Sequence, residues 1–304
     1  MDDFPNATLE FEERFRTETA CLDYLFHLRW PQGFRCPKCS NEKAWPMKKG
    51  VLHCAECGAQ TSVTAGTIFQ DTHKPLRLWF RAVWYVVGQK NGVSALGLQR
   101  VLGLGSYRTA WVWLHKLRKA MVRPGRDLLS GVVEADETYV GGERPGKRGR
   151  GAAGKALVFI AAEDKGDRIG RIRMQRIANA SAESLGDALS HAVAPGSSVR
   201  TDGWKGYAGL DGSGYAHLVA QRSADVGENL LPLVHRVASL LKRWLQGTHQ
   251  GAVRSTHLDY YLDEFTFRFN RRTSRSRGKL FYRLLQQAVL VAPSPGRAFR
   301  GGRH

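Results

Sequence analysis

The chain has 304 residues, of which 42% are hydrophobic and 24% charged, the proportions of a folded globular protein, so global disorder is excluded. Its 46 Lys and Arg face 27 Asp and Glu, leaving a net charge of +19. A field of that sign gathers polyanions, so the expected partner is nucleic acid and not a small-molecule substrate.

No apolar run approaches the roughly 18 residues that span a bilayer. The start, Met1-Asp2-Asp3-Phe4-Pro5, lacks the basic and apolar parts of a signal peptide. A cytoplasmic, nucleoid-associated protein with no membrane partner is expected. In that compartment five cysteines suit metal ligation better than disulfides.

Residues 1–33 read as a helical lead-in, with Phe11, Phe15, Leu22, Leu25 and Leu28 broadly spaced for one face and Cys21 as a small core residue. Residues 34–70 hold two C-x-x-C pairs, Cys36/Cys39 and Cys54/Cys57, separated by fourteen residues. Each pair presents two sulfurs from one tight turn, and four thiolates suit tetrahedral Zn²⁺. Redox pairs would be expected beside a βαβ unit, and none is visible here. One structural zinc in a zinc ribbon is therefore expected, with no part in catalysis.

From 74 to 122 the pattern turns helical. Leu76, Leu78, Trp79, Val83, Val86 and Val87 give a first helix. Ser94 is a cap for a second, Gly103-Leu104-Gly105 ends it, and Ser106 is a cap for a third running to about Met121. Two short helices joined by a glycine turn suit a helix-turn-helix, as would other small bundles. Arg108 and Lys116 on the third helix are candidate DNA contacts.

After a boundary at 123–131, Val132–Val140 reads as a strand carrying Glu134 and Asp136 on one face and Glu137 on the other. An acid inside such a run is costly unless water, a partner or a metal compensates it. Residues 141–154 are Gly- and Arg-rich and read as a loop. Strands follow at 156–162 and 168–176, a helix at 182–191, and a strand at 197–202 ending in Asp202. A turn at 204–207, a strand at 216–220 and a long helix from about Leu230 complete the order. Three strands, helix, strand, short helix, strand, helix matches the ribonuclease H-like mixed sheet.

Two acids on separate strands can hold a pair of divalent ions about 4 Å apart for phosphoryl transfer. His235, Ser239 and Lys242 share one face of the long helix. On spacing alone His235 is as well read as an ordinary surface or core histidine as a ligand. Lys147, Arg148 and Arg150, and the run of Arg268, Arg271, Arg272, Arg275 and Arg277 interleaved with Phe265, Phe267 and Phe269, are candidate phosphate contacts or a solvated basic face.

The stretches Val133–Glu143 (VEADETYVGGE), Arg200–Tyr207 (RTDGWKGY), Leu241–Gly251 (LKRWLQGTHQG) and His257–Arg272 (HLDYYLDEFTFRFNRR), with the Cys36–Cys57 ribbon, run over nearly the whole chain. In that order they resemble the bacterial insertion-sequence transposases that join a zinc ribbon to an ISXO2-like, DDE-type domain. The resemblance implies an α/β chain with a ribonuclease H-like catalytic domain at 130–285, after a zinc ribbon and a small helical domain, and a basic, disordered tail at 286–304. It makes Asp136 and Asp202 the first two catalytic acids. It puts His235 in the third position, seven residues before Lys242, with Glu228 as rival. A histidine there shifts the site from Mg²⁺ towards Mn²⁺. Double-stranded DNA, two catalytic metals and a homo-oligomer on DNA are implied. A decayed DNA-binding regulator and a nuclease that cuts without joining remain alternatives.

Overall fold

The structure is a computed structural model describing residues 3–123, 125–141, 155–220, 230–251, 253–294, 296 and 299. The chain divides into two compact units, one built from residues up to Arg123 and from Ser274 onward, the other from Pro124 to Thr273.

In the first unit α1 (Thr8–Arg14) and α2 (Glu18–Arg29) precede a small antiparallel sheet of β1 (Ala44–Pro46), β2 (Val51–Cys54) and β3 (Gln60–Ser62), in that order. Then come α3 (Leu76–Gly88), α4 (Ala95–Leu102) and α5 (Tyr107–Ala120). The expected caps are present. Ser94 accepts from Gly97 N at 3.0 Å, and Ser106 accepts from Arg108 N at 3.2 Å. Gly103 closes α4 in the left-handed region at φ 62°, where a side chain would be strained.

The C-terminal helix Arg277–Ala288 belongs to this unit as well. Its Phe281 ring lies 5.4 Å from Phe11, 5.5 Å from Phe15 and 5.6 Å from both Phe80 and Trp84. This corrects two expectations. Residues 277–285 do not close the catalytic domain, because burying Phe281, Leu284 and Leu285 draws the helix into the aromatic core of the first unit. Nor are the described residues of 286–304 a loose tail: Ala288, Val289, Val291 and Phe299 are buried. The rest of that stretch lies outside the described residues.

The second unit is a five-stranded mixed sheet. Its strands are β4 (Val132–Val140), β5 (Ala156–Asp164), β6 (Ile169–Ile177), β7 (Ser198–Thr201) and β8 (Ala216–Val219), in the spatial order β6-β5-β4-β7-β8. The pairs β4–β5 and β5–β6 are antiparallel; β4–β7 and β7–β8 are parallel. The period-two alternation sends Val133, Ala135, Phe159 and Val199 to one face, against Leu185 and Leu189 of α6 (Ala182–Ser190). Val158, Ile160, Ile172 and Met174 face the other way. They pack on Val234, Val237 and Leu241 of α7 (Pro232–His249) and on Leu262 and Phe265 of α8 (Leu258–Asn270). This is the ribonuclease H-like arrangement. The Gly- and Arg-rich stretch with Lys147, Arg148 and Arg150, and also Glu228, lie outside the described residues.

Candidate active site and zinc centre

The two cysteine knuckles are built alike. Ser40 N donates to Cys36 O at 2.9 Å and Gly58 N to Cys54 O at 3.1 Å, and both residues after the second cysteine take positive φ, 62° and 68°. These turns bring all four Sγ atoms within 4.8 Å of one another, with Cys36–Cys57 at 3.6 Å and Cys39–Cys54 at 3.5 Å. Thiolates about 2.3 Å from a tetrahedral ion stand close to 3.8 Å apart, roughly the spacing found here. Backbone N–H groups of Cys39 and Lys38 pull the Cys36 thiol down to about 6, favouring the ligating thiolate. Cys21 lies apart, fully buried, its thiol pushed up to about 12 by desolvation. The four cysteines form a group able to hold a structural zinc.

In the second unit the register pairs Glu134 with Arg200 across the parallel strands β4 and β7. Two residues further along each chain stand Asp136 and Asp202, so the sheet delivers both acids to one place. Asp202 follows the end of β7 and accepts from Trp204 N at 2.9 Å. Gly203 must be glycine, since its φ is +76° and a Cβ would stand 2.7 Å from Val219 Cγ1.

His235, in the first turns of α7, points its Nε2 to Asp136 Oδ2 at 3.2 Å; their side chains are 50% and 20% exposed. Burial above all, with the negative charges of Glu137 and Asp202, raises the Asp136 carboxyl to about 6, against the Glu137 backbone N–H and His235, which lower it. Lys242 lies exposed two turns beyond His235 on the same helix. Asp136 and His235 are thus in contact with Asp202 adjoining, but the three do not draw together as tightly as the thiols.

The basic candidates divide. Arg108 is exposed in the first turn of α5, beside exposed Tyr107. Lys116 is instead committed inside the first unit, donating to Ile68 O at 3.0 Å. Arg268, only 14% exposed, pairs with buried Glu264 at 2.7 Å. Both were expected at DNA, and internal acceptors take them. Arg271 and Arg272 stack on Phe267 and Phe269, each 4.1 Å from the ring centre, and Arg272 also donates to the carbonyls of Ile169 and Gly170 at the sheet edge.

Sequence reasoning did not place two partners. Tyr207 is fully buried and donates its hydroxyl to Glu137 Oε2 at 3.0 Å. Glu134 has no exposed side chain and takes the N–H groups that open α7. Only the face alternation of β4, which points Glu134 inward with Asp136, hinted at it.

Two acids from neighbouring parallel strands, met by a helix crossing the sheet, define a ribonuclease H-like protein, here joined to a zinc ribbon. Residues 128–270 match the ISXO2-like transposase domain, and residues 16–60 match a transposase zinc-ribbon domain. A protein of Halobacterium salinarum described as an uncharacterized protein in transposable element ISH50 is 29% identical over 302 residues, 91% of this chain and 98% of its own length. The chain thus carries an ISXO2-like transposase domain together with a transposase zinc-ribbon domain. Among the described residues no helix is long and apolar enough to cross a membrane.

Proposed function

We propose that the chain binds the inverted-repeat ends of its insertion sequence and catalyses divalent-metal-dependent strand cleavage and strand transfer. The observation that carries this reading is the Asp136–His235 contact at 3.2 Å beside Asp202. Burial, with Glu137 and Asp202 close by, raises the Asp136 carboxyl to about 6 despite His235, and a carboxylate opposed in that way suits a cation site. Asp136, Asp202 and His235 would hold Mg²⁺ or Mn²⁺, two ions in the full site, and one nitrogen donor tilts the set towards Mn²⁺. Bound there, such ions activate the attacking oxygen and stabilise the leaving one.

The chemistry balances without a covalent protein intermediate. Water's oxygen bonds to phosphorus as the P–O3′ bond breaks, and the freed 3′-hydroxyl then displaces an oxygen at a target phosphorus. Asp136 and Asp202 would hold the cations at the reacting phosphate, while Lys242 steadies a neighbouring phosphate as a point charge. Arg108, at the head of the second helix of the helix-turn-helix, reads or anchors the ends; Arg271 and Arg272 contact the DNA backbone. Joining needs two ends at once, so a homo-oligomer on DNA follows.

The test is cleavage and joining on linear DNA carrying the element's ends, in Mg²⁺ and in Mn²⁺. Asp136→Ala should abolish both reactions, and His235→Ala should lower them by about 10²–10³-fold, with end binding retained. Specific binding without cleavage by the unaltered chain would make it a DNA-binding regulator. Cleavage without joining would make it a nuclease.

A further inference from the structure

Directly beneath the candidate ligands lies a second charged pair. Glu134 precedes Asp136 by two residues on the same face of β4, and Arg200 precedes Asp202 by two residues on β7; the two are register partners. Glu134 is fully buried.

One of its oxygens, Oε2, accepts from Leu233 N at 2.8 Å and from Val234 N at 3.1 Å. These are the second and third residues of α7, whose cap residue Leu231 offers no side-chain acceptor. The first residue, Pro232, has no N–H, and His235 N already donates to Leu231 O at 3.1 Å. Glu134 therefore takes the donors that the start of α7 leaves open. Its other oxygen makes no hydrogen bond and faces Arg200 Nη1 at 3.6 Å; the same nitrogen lies 3.7 Å from Asp164 Oδ2 at the end of β5. The helix start, the two N–H groups and the guanidinium together offset the cost of a buried carboxylate.

Each of the three candidate ligands lies within two residues of an atom in this arrangement: Asp136 two after Glu134, Asp202 two after Arg200, His235 one after Val234. We propose that Glu134 is a positioning residue of the metal site, holding the first turn of α7 on β4 so that His235 stands at Asp136, and tying β7 to both through Arg200. The inference rests on the proposed metal-dependent reading and deepens it. Partners behind the ligands of a metal site are commonly worth 10–100-fold in affinity.

Mn²⁺ binding to the full chain, followed by the electron-spin resonance of the free ion, tests it without any assay of activity. Glu134→Ala should bind Mn²⁺ about tenfold more weakly or worse. Glu134→Gln keeps an acceptor oxygen for the two N–H groups but loses the charge facing Arg200, so it should fall between and remain folded. In the metal-free protein the ring resonance of His235, assigned with His235→Asn, should move in Glu134→Gln and stay in place in Glu163→Gln, a control at another buried acid. Folded Glu134→Gln and Glu134→Ala with unaltered Mn²⁺ affinity and an unmoved His235 resonance would overturn the inference. If Glu134→Ala does not fold, Glu134→Gln alone decides it. Asp136→Ala runs alongside: if it binds Mn²⁺ as the unaltered chain does, the site assignment itself falls, and this inference with it.

Discussion

Asp136 is set at odds with its own fold. Its carboxyl is raised from 3.8 to about 6, first by burial and then by Glu137 and Asp202, so the folded chain gives up that proton later than the unfolded chain does. Stability contributed by the protonated form is complete below about pH 4 and is lost as pH rises to about 6. In the absence of divalent metal, Asp136→Asn should therefore be the more stable protein at pH 7, by on the order of 2 kcal/mol. Urea unfolding from pH 4 to pH 7 would show the two curves diverging upward in that interval. Added Mn²⁺ should reverse their order, because an ion bound only by the folded state stabilises it by mass action. A variant that lost stability at pH 7 without metal would show that the carboxylate is held by its surroundings and not opposed by them.

Helix starts show how much of the chain is legible from local sequence. Thr17, Ser94, Ser106, Ser181 and Ser276 each cap the helix that follows with their own hydroxyl, and Ser94 and Ser106 are readable one residue at a time. α3 and α7 begin at Leu76 and Pro232 with no such residue. Their acceptors are carboxylates far along the chain. Glu18 takes Leu76 N at 2.7 Å from 58 residues away, and Glu134 takes Leu233 N from 99. No local pattern announces such a partner, so the fold and the two acids were readable from residue types while the piece that aligns them was not. Asp136 and Asp202 stand out because an acid in or beside a β-run is costly. His235 stood out only by resemblance, since a lone helical histidine has no spacing signal of its own. The zinc ribbon is the opposite case, being written wholly in its spacing. Cys54→Ser, which removes one buried ligand, should lower bound zinc from one per chain to substoichiometric levels, measured by metal analysis after dialysis. It should also unfold the sheet of β1–β3 and leave the far-ultraviolet signal of the second unit intact.

At the scale of the whole molecule the order of the chain and the order of its units differ. The segment from Pro124 to Thr273 is an insertion within the first unit, which begins at the N-terminus and is completed by the helix Arg277–Ala288. Periodicity gave that helix but not its destination, because an apolar face does not say which core will take it. Phe281 is fully buried among Phe11, Phe15, Phe80 and Trp84. Phe281→Ala should therefore destabilise the first unit by about 3–5 kcal/mol. Two-step unfolding, with only the transition carrying the zinc-release signal shifted, would check it. A shift of the other transition instead would place the helix with the catalytic sheet.

This interleaving also sets an order of events on the ribosome. Domains ordinarily fold as they emerge, N-terminal parts first, at about 5–20 residues per second. Here Phe11, Phe15, Phe80 and Trp84 must wait through the synthesis of the whole intervening unit, some 8–30 s at that pace, before Phe281 arrives to complete their aromatic core. A nascent or prematurely terminated chain would carry the catalytic sheet without a finished helical unit beside it. Any activity that needs the finished first unit would then be gained last, by completed molecules only.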